Sequence, residues 1–339
     1  MSEQYKELPV YHHISPIVGL QYFSLSVIFG DTSILPWFYS NFIQWEWDQE
    51  GCMWFSLLEK NYTGIPYLET QKINRDFIKY NNLNICDLLI NNITCGCYTQ
   101  LCLNEFYIPT KAAYTNRNFI HDNLITGFDK EHRQFKLLGY NKENKLSLST
   151  VAFEEVEKAF LTIDSLLDNS LGVGSMDYVT HIFMLTKKEG ISYTLDKICI
   201  KEALVDYLYG NSYDEKFRMI NNPNRKKLFG MNVYPELSRH FLERDSRALN
   251  DIRILHLIYE HKKVMVMRIR FLFDNKCMKE DSLLLDEFME IEKKALVLRN
   301  LHIKYLISKE TLILDIIAAD LISLYKEERI LIEKLIKLF

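Results

Sequence analysis

Between residues 119 and 141 two short apolar runs flank one polar stretch. Phe119-Ile120-His121-Asp122-Asn123-Leu124-Ile125-Thr126-Gly127-Phe128 is the first, and Phe135-Lys136-Leu137-Leu138-Gly139-Tyr140 the second, ending at Asn141. Asp129 and the residues up to Arg133 supply turn chemistry, so the segment predicts a β-hairpin. Both strands are short, which lets the chain close between His121 and Asn141. Val151 to Leu167 follows with helical spacing and puts Val156 and Phe160 on an inward face. Ile93 to Leu103 alternates and predicts a strand.

Elsewhere the pattern is mostly helical. Ser15-Pro16 ahead of IVGLQYFSLSVIF reads as a helix start, with Ser15 as cap and proline at the first turn. Pro36 through Trp47 predicts a second, aromatic helix, while 48–93 has no clear period. Beyond about 170 the chain reads as helices. In the last of these Leu314, Ile317, Leu321, Leu324, Leu331, Leu335 and Leu338 form a seam interrupted by Glu328, the pattern of a helix packed on another helix. Asp168, Asn169, Gly172 and Gly174 mark a boundary. The expected class is therefore α+β, divided into 8–168 and a mostly α-helical 169–339.

The length of 339 residues suits two domains. A net charge of −4 gives no argument for nucleic acid. No apolar run reaches the roughly 18 residues of a membrane span. The start MSEQYKELPV is polar, so no secretory leader is expected. Seven scattered cysteines (Cys52, Cys86, Cys95, Cys97, Cys102, Cys199, Cys277) fit a reducing, cytoplasmic setting. Cys95, Cys97 and Cys102 lack the second ligand pair of a structural zinc site, so no metal or other cofactor is expected.

Among candidate chemistry, His121 stands first: an imidazole on a strand, with a carboxamide at Asn141 able to hold its tautomer. The plain alternatives are a strand histidine bonded to backbone and, for Asn141, a turn residue. Arg253, His256, Glu260, Lys263 and Arg270 recur on one stripe of an otherwise apolar helix, and read first as a solvated face. Arg225-Lys226-Lys227 is a basic loop, solubilising or able to meet an acidic partner.

The segment HDNLITGFDKEHRQFKLLGYNKENKLSLSTVAFEEVEKAF resembles the His-containing hairpin of papain-fold proteins related to butirosin biosynthesis protein H. More distantly it is similar to peptidases that cleave bacteriocin leaders. The resemblance implies a papain-like domain over 8–168, with the rest a helical extension. It implies an activity of the family's kind in bacterial antibiotic or other specialised-metabolite biosynthesis: an acyl group moves from a carrier-protein thioester to a small amine, forming an amide. His121 would be the base and Asn141 its orienter. The family places a thiolate at the start of the first long helix, where the helix dipole lowers its pKa. Here Ser15 occupies that place. Ser15 as nucleophile, Cys52 reaching in from another element, and a chain that binds without catalysis all stay open. So does hydrolysis of a peptide, which uses the same groups with water as acceptor.

Overall fold

The hairpin forms as its pattern predicts, and both of its strands lie inside the larger sheet. The computed structural model describes residues 3–11, 21–47, 53–55, 65–167, 177–212 and 226–339. Along them run β1 (Tyr5–Glu7), α1 (Gln21–Ile28), α2 (Leu35–Ser40), β2 (Trp45–Trp47), β3 (Met53–Phe55), β4 (Leu68–Asn74), α3 (Arg75–Tyr80), α4 (Ile85–Thr94), β5 (Cys97–Asn104), β6 (Ile120–Asp129), β7 (Gln134–Tyr140), β8 (Leu146–Ala152) and α5 (Phe153–Leu167). The second half adds α6 (Asp177–Thr180), β9 (His181–Lys187), α7 (Lys197–Tyr209), β10 (Leu228–Phe229), α8 (Val233–Leu242), α9 (Ser246–Leu249), α10 (Arg253–Asp274), α11 (Ser282–Ser308) and α12 (Leu312–Lys337). The class is α+β with a helical C-terminal region. Among the described residues no helix is long and apolar enough to cross a membrane.

The chain divides into two compact units, each built from separated pieces. The first takes its described residues from 3–11, 21–31 and 65–191; the second from 32–55 and from 192 onward. The break expected at 168 and the first compact unit's end at 191 differ because of β9. Its continuous apolar run, Ile182 to Leu185, leaves the helical pattern and inserts antiparallel between β4 and β5.

The first unit carries a seven-stranded antiparallel sheet in the order β4-β9-β5-β6-β7-β8, with β1 beside the far end of β6. β6 and β7 pair with a bulge between Ile125 and Gly127. Gly127 is needed there: a Cβ would sit 2.7 Å from the Lys6 carbonyl of β1. Asp129 accepts from the His132 amide and closes the turn. α4 and α5 cover the sheet through Leu89, Ile93, Val156 and Phe160, against Leu101, Ile125, Phe135 and Leu137. Val156 and Phe160 thus face inward as their spacing predicts. Glu155 reaches back to the Ala152 amide, the second half of a capping box, which starts α5 where β8 stops.

Two sequence expectations change. The strand expected from Ile93 starts only at Cys97. Ile93 belongs to α4, which ends at Cys95, and Gly96 then turns the chain in the left-handed region. Cys95 and Cys97 therefore do not share a strand face. The helix expected over 36–47 stops at Ser40. Phe42 takes a positive φ of 54°, and the buried Arg268 guanidinium donates to the carbonyls of Tyr39, Asn41 and Phe42. A cation satisfying carbonyls at a helix C-terminus ends it there. Trp45 and Trp47 then enter β2, which pairs with β3 and β10.

In the second unit α11 packs on both α10 and α12, and α12 also packs on α8. The seam of α12 is buried as expected, including Leu314, Ile317, Leu321 and Leu331. Glu328, which interrupts it in sequence, is fully buried too. Its Oε1 lies 2.6 Å from Lys262 Nζ and accepts from the Tyr207 hydroxyl, and its Oε2 accepts from Tyr234. Lys262 also donates to Tyr207 and to His261 Nδ1, and sits 4.3 Å from the Trp45 ring centroid. Burial pulls the Lys262 ammonium down to about 8, against the opposing pull of Glu328. The stripe on α10 is not uniformly solvated: Arg253 and Arg270 are exposed, whereas Glu260 is buried beside His256. In the basic loop Lys227 is largely buried and pairs with Glu46 at 2.8 Å.

Candidate functional site

β6 delivers His121 at the end of the sheet remote from its hairpin turn. Its register partner on β5 is Leu103, so Asn104 is the last paired residue of that strand. Asn104 fixes what comes next. Its Oδ1 accepts from the amides of Phe106 and Phe119, and its Nδ2 donates to Asn118. Both ends of the loop after β5 are thereby held to one side chain, and a single helical turn at Glu105–Tyr107 starts inside it. The loop brings Glu105 and Lys111 to His121.

The distances define a charged cluster. His121 Nδ1 is 3.7 Å from Glu105 Oε1 and 3.6 Å from Asp122 Oδ1. Glu105 Oε1 is 3.4 Å from Lys111 Nζ. Glu105 and Lys111 are buried, whereas 32% of the His121 side chain is exposed. Asp122 is held from its other side by Gln100 Nε2 at 3.0 Å. Asn123 donates to the His121 carbonyl, and its Oδ1 faces Gly139. The imidazole is stacked on Phe119 and meets the Tyr140 ring edge-on. Burial lowers the Lys111 pKa, and Glu105 opposes that shift.

Four polar atoms in this small space are buried without a hydrogen-bond partner: Glu105 Oε1, Lys111 Nζ, His121 Nδ1 and Asn123 Oδ1. Such atoms are few in folded proteins, because each costs about 1–3 kcal/mol of desolvation. Their concentration around one half-exposed imidazole is what singles the place out. An imidazole with one open face beside two carboxylates is an arrangement that suits general acid–base chemistry.

Asn141 is not hydrogen-bonded to His121. Its Oδ1 accepts from the amides of Glu143 and Lys145, 2.9 and 3.0 Å away, and closes the turn into β8. This is the turn role that its sequence context allowed. Ser15 and Cys52 lie outside the described residues. Among the described residues no serine or cysteine is hydrogen-bonded to His121. Cys102, one position along β5 from Leu103, points to the opposite face of the strand; burial, and then Asp122, push its thiol well up.

The sequence reading missed Glu105, Lys111, Asp122 and Asn123. Asp122 and Asn123 follow His121 directly and were legible as neighbours. Glu105 and Lys111 carry no local signal, because the loop folding back over the sheet brings them in. In comparisons with known proteins, no family model and no curated protein matches the chain.

Proposed function

We propose that the first unit binds a small substrate at the open end of its sheet and that His121 is the proton acceptor there. The reaction is transfer of an acyl group from a carrier-protein thioester to an amine, on a papain-like framework. What supports the first part is the half-exposed His121 imidazole with Glu105 and Asp122 both within 4 Å of Nδ1. The acyl chemistry, carrier protein and amine rest on the likeness of residues 121–160 to the butirosin family. The attacking group is not assigned, since Ser15 and Cys52, the sequence's candidates, lie outside the described residues. His121 takes the proton of that group as it attacks the thioester carbonyl and gives it to the departing carrier thiol. It then takes a proton from the amine as the amine attacks the acyl-enzyme and gives it back to the group that leaves.

The test is incubation of the full chain with acyl-carrier thioesters and amines, followed by mass spectrometry of protein and products. His121→Ala should lower amide formation by about 10²–10⁴-fold. Undiminished turnover in that variant sinks the assignment. A second reading, binding without catalysis, is favoured by one observation: the Asn141 carboxamide is already used by its own turn. Tight binding of the acylated carrier, with no acyl-protein, amide or hydrolysis product, would decide for it.

A further inference from the structure

Lys111 takes no direct part in that scheme, yet it is the most deeply buried charge near His121. Its side chain is 1% exposed, and its nearest opposite charge is Glu105 Oε1, the same oxygen that faces the imidazole. One carboxylate oxygen thus stands between an ammonium and an imidazole. The packing behind it is closed by Gly139. A Cβ on that residue would collide with both Lys111 Nζ and Asn123 Oδ1. With no side chain at 139, the ammonium and the Asn123 amide oxygen can lie directly against the strand.

We infer that Lys111 is a positioning residue: clamped against Gly139, it fixes the Glu105 carboxylate at His121 and offsets the charge that carboxylate presents to the ring. The inference deepens the reading of His121 as proton acceptor and rests on it. The groups facing the ring come from every element around it. Glu105 and Lys111 come from the loop after β5, as does Phe119 with Arg117 above its ring. Asp122 lies on β6, Tyr140 on β7. Of these, Lys111 and Arg117 are the cations, and only Lys111 is in contact with Glu105.

The test reads the ring directly. NMR titration of histidine-labelled full-length protein follows nine histidines, and the His121 signal is assigned by its loss in His121→Gln. Lys111→Met uncovers the Glu105 charge and should raise the His121 midpoint by about half a pH unit or more. Glu105→Gln should lower it by a similar amount. Gly139→Ala keeps every charge but displaces the ammonium, and should move the midpoint in the same direction as Lys111→Met; it carries the test if that variant fails to fold. A midpoint unmoved by both Lys111→Met and Gly139→Ala overturns the inference. Shifts as expected in a protein that never forms product leave the inference standing and remove the proposed function instead.

Discussion

The two units each contain a lysine, a glutamate and a histidine in contact, and treat them in opposite ways. In the second unit Lys262 Nζ reaches Glu328, Tyr207 and His261. His261 Nε2 donates to the Ile43 carbonyl at 2.7 Å, and Tyr234 takes the remaining Glu328 oxygen. Each of these polar atoms is buried and each is satisfied. In the first unit Lys111 Nζ stands 3.4 Å and His121 Nδ1 3.7 Å from Glu105 Oε1, contacts too loose to satisfy these buried atoms, with the ring partly open to solvent. A complete network fixes a core. An incomplete one at a surface keeps capacity for something else to bond. The same three residue types thus mark structure in one unit and a site in the other, and hydrogen-bond satisfaction and exposure tell them apart.

The sharpest way to break this contrast is to remove each lysine. Lys262→Met leaves Glu328 charged and buried, and should cost about 3–5 kcal/mol in urea unfolding of the full chain. Adding Glu328→Gln should restore most of that loss, because the neutral amide still meets the tyrosines. Lys111→Met should cost less, about 1–3 kcal/mol, since one looser 3.4 Å contact to Glu105 is lost in place of three hydrogen bonds. Equal losses from the two lysines would erase the distinction.

Acid separates the units next. Burial first, and Lys262 second, hold His261 well below the ordinary histidine value of 6.5; burial likewise lowers His302. As pH falls through about 6.5 the unfolded chain takes up these protons before the native one does. Their contribution to stability is therefore present above that pH and lost below it. Unfolding midpoints measured from pH 7 to 5 should fall. His302→Gln should flatten the slope, by at most about 1.4 kcal/mol per pH unit for one proton. An unchanged slope in that variant means that His302 does not contribute.

Asn141→Ala tests the smallest effect. It removes two bonds of an exposed turn, so about 1 kcal/mol of stability should go while turnover stays within about twofold. A hundredfold fall in turnover would return Asn141 to the site.

What could be read from the sequence depended on distance along the chain. The hairpin, the inward face of α5 and the α12 seam follow local periodicity, and each formed as its pattern indicated. The end of the helix expected over 36–47 could not be read locally, because Arg268, which stops it, lies 226 residues from Phe42. β9 was hidden by the helical pattern around it, and its partners β4 and β5 lie far back in the chain. His121 was legible, since a histidine beside Asp122 at a strand start is visible in a line of letters. The loop that carries Glu105 and Lys111 to it was not. Glu328 read as a break in the α12 seam because its partners, Lys262, Tyr207 and Tyr234, sit on other elements.

The interleaving of the two units has a consequence for synthesis. Residues 32–47 emerge from the ribosome early, but the indole of Trp45 donates to a carbonyl 185 residues later in the chain. At about 5–20 residues per second that partner is on the order of ten to forty seconds away. Throughout that interval an apolar segment with three tryptophans has no finished core to enter. A chain cut after residue 191 would keep that segment permanently unhoused. The two units are interleaved along the chain, so neither can be expressed by a single truncation without taking part of the other with it.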